Sequence, residues 1–181
     1  GLEKDKPGDE IGVLEDGEPQ DASEQYQLGL KYYHGEEDVA QDTVAAIRWA
    51  RKAAEQGYSE AQFFLGALYA NGEGVEKDGK EGVRLYRKAA EQGNPAAQYN
   101  LGLAYDIGDG VQEDKAEAVN WYRKAAEQGD ADAQCNLGNA YASGYGVKQD
   151  AVESAMWYRK AAEQGLAEAQ YNLGISHENS A

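Results

Sequence analysis

Ala125-Ala126-Glu127-Gln128-Gly129 is one of four copies of the same five-residue sequence in this chain. Successive copies lie 36 residues apart and end at Gly57, Gly93, Gly129 and Gly165. A fixed period of this length with helical patterning is typical of a repeat array, in which each unit is one supersecondary element that packs on its neighbours. The sequence therefore predicts an array of helical repeats rather than a single globule.

The first half of each repeat predicts a helix with one apolar side. In the third copy, Ala97, Leu101, Ala104 and Tyr105 follow the i, i+4, i+7, i+8 spacing of a core-facing stripe. Gly102 lies within this helix, where glycine costs about 1 kcal/mol relative to alanine. Because every copy keeps this glycine, we expect a neighbouring helix to approach too closely for a Cβ atom. The equivalent glycines are Gly29, Gly66, Gly138 and Gly174.

The second half of each repeat predicts another helix with marked ends. Asp78, Asp114 and Asp150 precede it, each with a glutamate three residues later, which is the pattern of an N-cap followed by an acidic first turn. The two helices are joined by Gly-x-Gly-Val, whose first glycine suits a left-handed C-cap. In the first repeat the loop Gly35-Glu36-Glu37-Asp38-Val39 is one residue longer and lacks the second glycine.

The charge of the chain limits its partners. The 181 residues carry a formal net charge of −16, without a cluster of Lys or Arg. Nucleic acid is disfavoured because neutralising phosphates requires a basic face, and an anionic membrane surface is disfavoured for the same reason. No apolar run approaches the ~20 residues of a membrane span, so membrane insertion is not expected.

Residues 1–21 predict an acidic, flexible leader, in which Ile11-Gly12-Val13-Leu14 is the one segment suited to cover an apolar end of the array. Cys135 is the only cysteine, so cysteine usage leaves the compartment open. We expect a soluble protein, with a periplasmic or secreted location as the alternative if a targeting segment has been removed.

The third copy, residues 94–129, reads Ala-x-Ala-Gln-Tyr-Asn-Leu-Gly, then Tyr, Gly-x-Gly-Val and Asp, and finally Ala-x-x-Trp-Tyr-Arg-Lys-Ala-Ala-Glu-Gln-Gly. This motif resembles the Sel-1-like repeat, a relative of the tetratricopeptide repeat. The second copy departs from it with Leu85 in place of tryptophan. The resemblance implies an all-α fold, a right-handed α/α superhelix (solenoid) of antiparallel helix pairs. The four full repeats would be 22–57, 58–93, 94–129 and 130–165, followed by a half-repeat at 166–177 and a tail at 178–181.

The sequence offers little for catalysis, so we expect no catalytic residues, no cofactor and no metal. His34 and His177 lie at opposite ends of the predicted array, and no nucleophile elbow, paired-histidine zinc motif or phosphate-binding loop is present. Glu36, Glu37 and Asp38 lack the alternating spacing of a calcium loop. A packed thiol explains Cys135 better than a nucleophile does.

The resemblance implies an adaptor or scaffold that binds proteins or peptides. By similarity to tetratricopeptide arrays, the side of the first helices opposite the core would line the concave, partner-binding surface. An apolar stripe flanked by carboxylates suits a partner with apolar anchors and basic residues. The alternative is that adjacent first helices bury these side chains against one another. The predicted binding residues are Tyr26, Leu30, Tyr33, Phe63, Ala67, Ala70, Tyr99, Leu103, Asp106, Cys135, Asn139, Tyr171 and Ile175.

Two other functions stay open at this point. The first is a hydrolase or small-ligand-binding protein that acts on a cell-wall component, which family analogy alone suggests. The second is an acidic decoy that masks a basic protein through charge, whose binding would disappear as salt rises because exposed charges are screened beyond ~8 Å at physiological ionic strength.

Overall fold

The computed structural model describes residues 17–36 and 39–178, and every regular element in these ranges is a helix. The predicted capping segment at residues 11–14, and Glu37 and Asp38 in the first loop, lie outside the described residues. Each helix packs against the next one along the chain, which is the local contact pattern of a repeat array. The helices are α1 (Ala22–His34), α2 (Thr43–Glu55), α3 (Ser59–Asn71), α4 (Gly79–Glu91), α5 (Pro95–Ile107), α6 (Lys115–Glu127), α7 (Ala131–Ser143), α8 (Ala151–Glu163) and α9 (Ala167–Glu178).

The predicted helix ends are confirmed. The side chains of Asp78, Asp114 and Asp150 accept hydrogen bonds from backbone amides in the first turns of α4, α6 and α8. These bonds satisfy amide groups that have no partner within the helix. At the other end of the first helices, Gly108 and Gly144 have φ angles of +72° and +75°, the left-handed conformation that glycine adopts without steric cost.

The core runs along the array between first and second helices. Ala97 and Leu101 are fully buried and Ala104 is nearly so, as their spacing predicts, while Tyr105 is half-buried. The second helices contribute a matching face, in which Ala118, Tyr122 and Ala125 are fully buried. Small residues dominate both faces, so the helices of a pair can lie close together.

The glycines within the first helices mark the points of closest approach. A Cβ atom on Gly66, Gly102 or Gly138 would lie 2.9, 2.7 or 2.6 Å from Cδ1 of the tyrosine on the paired second helix, and one on Gly29 would lie 3.2 Å from the Ala46 carbonyl oxygen. The prediction is confirmed at these four positions. It is wrong at Gly174, where a Cβ would meet no atom within 4 Å, because no second helix follows α9 in the described residues.

Pairs of one buried and one exposed glutamine join the two helices of each repeat and bond to the preceding repeat, and no role for these residues was apparent from the sequence. Gln98 Nε2 donates to the Ala90 carbonyl of the preceding repeat at 3.1 Å, and Gln128 Nε2 donates to Gln98 Oε1 at 2.7 Å. The buried carboxamide of Gln98 thus satisfies a buried backbone group and is itself satisfied by a second glutamine. We call this set the glutamine ladder; its further pairs are Gln56–Gln25, Gln92–Gln62 and Gln164–Gln134.

The described end of the predicted leader lies against the first repeat. Glu18 forms an ion pair with Lys52 at 3.0 Å, and Gln56 Nε2 donates to the Gln20 carbonyl at 3.1 Å. Asp21 caps α1 by accepting from two backbone amides. Residues 17–21 are therefore fixed to α1 and α2 by specific hydrogen bonds.

Candidate protein-binding face

The predicted binding residues occupy equivalent positions on the first helices α1, α3, α5, α7 and α9, and we call this surface the first-helix face. The structure separates them by exposure. Cys135 is 2% exposed, whereas Tyr171 is 70% and Ile175 is 40% exposed. The remaining ten are half-buried: Tyr26, Leu30, Tyr33, Phe63, Ala67, Ala70, Tyr99, Leu103, Asp106 and Asn139.

In the second and third repeats, an aromatic ring of the first-helix face packs against a tyrosine of the paired second helix. The ring centroids of Phe63 and Tyr86 are 5.8 Å apart, and those of Tyr99 and Tyr122 are 5.9 Å apart. Tyr86 and Tyr122 are the tyrosines that lie against the mid-helix glycines. One side of each ring therefore belongs to the core of its own repeat, while the half-buried rings keep accessible surface.

Between α1 and α3 the face is an aromatic cluster that joins two adjacent first helices. Phe64 lies between Tyr26 and Tyr33, with ring centroids 6.1 and 5.1 Å away, and Tyr58 lies 5.5 Å from Tyr26. The Tyr33 hydroxyl donates to Glu73 Oε1 at 2.5 Å, and this bond to a carboxylate raises the pKa of Tyr33. In this part of the face, contact between first helices accounts for much of the burial. Sequence reasoning missed Phe64 because the third, fourth and fifth repeats have asparagine at its position.

A groove of about 190 Å³ lies between α3 and α5, and we call it the α3–α5 groove. Its apolar lining includes Ala70, Tyr86, Leu103 and Ile107, and its charged lining residues are Lys77 and Asp109. Ile107 is 68% exposed, which is unusual for an isoleucine beside a groove. Burial, with a smaller contribution from the Asp109 carboxylate, raises the pKa of Tyr86 to about 12, so Tyr86 is a neutral phenol at physiological pH.

Asp106 is held by its neighbours rather than presented freely to solvent. Lys115 Nζ forms an ion pair with Asp106 Oδ1 at 2.9 Å, and the Tyr122 hydroxyl donates to Asp106 Oδ2 at 3.2 Å. In the next repeat alanine occupies the position of Asp106, and Asn139, one turn earlier in α7, accepts from the Tyr158 hydroxyl at 2.6 Å. A polar side chain of the first helix therefore fixes the second-helix tyrosine in both repeats, from two different positions.

Cys135 belongs to a buried cluster with Tyr158, Ala161 and Ala169. Burial raises the pKa of its thiol to about 11, so the thiolate is scarce at physiological pH. The structure therefore removes Cys135 from the accessible part of the first-helix face. Tyr171 and Ile175 are the equivalent residues on α9 and remain exposed.

The described residues hold no group of three or more His, Cys, Asp or Glu side chains able to bind a metal ion. Within the same ranges, none of the helices is long and apolar enough to span a bilayer. His34 is exposed and packs edge-to-face against Tyr33, with centroids 5.1 Å apart, and no carboxylate or hydroxyl in the described chain is hydrogen-bonded to it. Nothing in this arrangement activates His34 as a base.

Comparisons with solved structures support the fold. A protective antigen of uropathogenic Escherichia coli strains, which displays an SLR fold, is 45% identical with a TM-score of 0.86, over 89% of this chain and 34% of that chain. A Sel1 repeat protein from Oxalobacter formigenes is 43% identical with a TM-score of 0.79, over 85% of this chain and 62% of that chain. An immunity protein from Pseudomonas aeruginosa is 26% identical with a TM-score of 0.56, over 90% of this chain and 59% of that chain. No curated protein matches the chain.

This chain thus spans about a third of the length of the antigen and 62% of the Oxalobacter protein. The matches confirm the predicted architecture, an all-α solenoid of antiparallel helix pairs arranged as a right-handed superhelix. The model of the Sel1 repeat matches residues 25–58, 59–94, 95–130, 131–166 and 167–181. The chain therefore belongs to the Sel1 repeat family.

Proposed function

We propose that this protein is a non-enzymatic scaffold that binds another protein or a peptide through its first-helix face. The observation that carries the proposal is the α3–α5 groove, because Leu103 and the exposed Ile107 give it apolar side chains. Exposed apolar side chains beside such a groove can anchor a partner, and Asn71 and Asn100 in the lining can hydrogen-bond to it. The names of the relatives, a protective antigen and an immunity protein, are not those of enzymes.

The charge of the surroundings supports a partner with basic residues beside its apolar anchors. Asp109 lines the groove together with a single cation, Lys77. The carboxylates of Asp130 and Asp132 lie near enough to Tyr99 to raise its pKa, although burial is the larger cause. The chain as a whole carries a net charge of −16. Such a field speeds the approach of a basic partner, while the apolar contacts hold it.

The test uses affinity capture from a lysate of the source organism at physiological salt, followed by an affinity measurement with the captured protein. Ile107→Asp places a charge at the edge of the groove, and its exposure means that folding should be preserved. Val152→Asp is the matched control, because Val152 is 80% exposed on α8, a second helix. We expect Ile107→Asp to weaken binding about tenfold or more, as for an interface hot spot, and Val152→Asp to leave it unchanged.

A second variant, Phe63→Ala with Tyr99→Ala, removes two anchors of the first-helix face, with its helicity checked by circular dichroism. Equal binding by the native protein, this double variant and Ile107→Asp would place the site elsewhere on the molecule. A salt series distinguishes the acidic-decoy alternative, since binding through exposed charges alone disappears between low and physiological ionic strength, whereas anchored binding declines gradually.

A further inference from the structure

The second helix of three repeats carries a tryptophan beneath a lysine that follows it by three residues. An ammonium group over the face of an indole is attracted by the electron-rich ring. Because the pair recurs in three repeats, it is a regular feature of the repeat unit. The distances from Nζ to the ring centroid are 4.4 Å for Lys52 over Trp49, 3.9 Å for Lys124 over Trp121 and 4.2 Å for Lys160 over Trp157.

The second repeat keeps the lysine and lacks the ring. Leu85 occupies the tryptophan position, and Lys88 follows it. Leu85 shares a buried cluster with Leu65 of α3, just as Trp121 shares one with Leu101 of α5. The two side chains therefore hold equivalent places in successive repeats, but Leu85 lacks the indole ring of Trp121.

A groove of about 210 Å³ opens between α2, α3 and α4 where the ring is missing, and we call it the Leu85 groove. Its lining includes Tyr69 and the side chains of Leu65 and Leu85, which are almost fully buried at its base. The third repeat has the Trp121 indole at the position of Leu85. The charged residues of the rim are Arg51, Glu55, Glu81, Arg84 and Lys88.

The rim charges differ in how far they are already engaged. Arg84 makes a bidentate ion pair with Glu81, with both contacts at 2.6 Å, and this hydrogen bonding is the main reason that the pKa of Glu81 is lowered. Arg51 donates to the Tyr69 hydroxyl at 3.0 Å. Over residues 17–36 and 39–178, Lys88 has neither a carboxylate within ion-pair distance nor a ring beneath its ammonium group. Lys88 is therefore available to cover an incoming ring.

We propose that the Leu85 groove binds an aromatic side chain, with tryptophan as the best fit, presented by a neutral peptide segment of a partner. The bound ring lies against Leu65 and beneath the Lys88 ammonium group. One repeat later, the Trp121 indole lies in the same way against Leu101 and beneath Lys124. The complementarity is that of a cation with a ring face, which the chain itself uses three times. This surface is separate from the first-helix face and does not depend on the function proposed for it.

The experiment titrates the full chain with an amidated and acetylated Gly-Gly-Trp-Gly-Gly peptide that carries a fluorinated indole, followed by ¹⁹F NMR. A leucine peptide of the same length, competed against it, measures the preference for a ring. We expect saturable binding of the tryptophan peptide and no saturable binding to Leu85→Trp, because the introduced indole fills the groove. Filling the groove also raises the unfolding temperature of this variant, which shows that it folds.

Two surface variants test the lysine without touching the core. Lys88→Gln weakens binding of the fluorinated peptide about two- to fivefold, the range for an exposed cation–π pair. Lys124→Gln is the matched control, since its groove is already filled by Trp121, and it leaves the affinity unchanged. The proposal is overturned if the native protein shows no saturable binding, if folded Leu85→Trp binds as the native protein does, or if the two lysine variants behave alike. Equal competition by the leucine peptide would likewise contradict a site specific for aromatic rings.

Discussion

Replacing Gly102 by alanine tests whether close approach explains the glycine within each first helix. The added Cβ would lie 2.7 Å from both Cδ1 and Cε1 of Tyr122 and 3.3 Å from the Ala118 carbonyl oxygen, where ordinary contact begins at 3.4 Å. Tyr122 has little freedom to yield, because it is fully buried and its hydroxyl is bonded to Asp106. Overpacking costs about 1–3 kcal/mol, and we take the upper end for a clash with a fixed ring. The gain in helix propensity is about 1 kcal/mol, which leaves a net destabilisation of about 2 kcal/mol.

Gly174→Ala is the matched control, because it makes the same change at the equivalent position of α9, where a Cβ meets nothing within 4 Å. Here the propensity gain is unopposed, so stability should rise by up to about 1 kcal/mol. Thermal unfolding followed by circular dichroism should show Tm lower by about 4–8 °C for Gly102→Ala and unchanged or slightly higher for Gly174→Ala. If Gly102→Ala is as stable as the native protein, or if both variants shift Tm in the same direction, close helix approach is not the reason for the glycine.

Three other predictions follow from buried polar groups and raised pKa values. Gln134→Ala removes the donor to the buried Ala126 carbonyl and the acceptor for Gln164. The free energy of unfolding measured in urea should therefore fall by about 1–3 kcal/mol. Gln27→Ala, at an exposed position of α1, is the control and should leave that free energy unchanged. With its pKa raised to about 11, Cys135 should react with a disulfide reagent at pH 8 about a hundredfold more slowly in the folded protein than in urea, and equal rates would contradict its burial. The pKa of Tyr86 is about 12, against 10 for an ordinary tyrosine, so the unfolded chain releases this proton at lower pH than the folded protein does. The free energy of unfolding therefore falls as pH rises from 10 to 12. Tyr86→Phe should make that decline shallower by about 1 kcal/mol per pH unit at most.

The features that could be predicted from the sequence are those set by local chemistry and repeated in register. Asp114 and Gly108 mark helix ends through their own hydrogen bonding and backbone conformation, so each can be identified without knowledge of the rest of the chain. The glycine at position 102 was explained correctly because a costly residue kept at a fixed period requires a packing reason. The family motif then fixed the pairing and handedness of the helices.

The accessible site was harder to predict, because exposure depends on what the next repeat supplies. Cys135 and Tyr171 hold equivalent positions, yet Cys135 is covered by Tyr158 and Ala169, while Tyr171 has no described helix over it. The glutamine ladder was not predicted from the sequence, for a different reason. Glutamine is usually a surface residue, and only a partner found 30 residues away in sequence, as Gln128 is for Gln98, makes its burial favourable.

The glutamine ladder also determines how the array can bend. A change of angle between the second and third repeats would strain the bonds from Gln98 to the Ala90 carbonyl and from Gln128 to the Gly93 carbonyl, which are 3.1 and 2.9 Å long, and the first of these is buried. Bending should therefore concentrate at Gln170, which is exposed and has a single 3.3 Å bond to the Ala162 carbonyl. The angle between the middle repeats should therefore stay nearly fixed. A partner that contacts two repeats must present its anchor residues at the spacing of the repeats, because that spacing does not adjust to the partner.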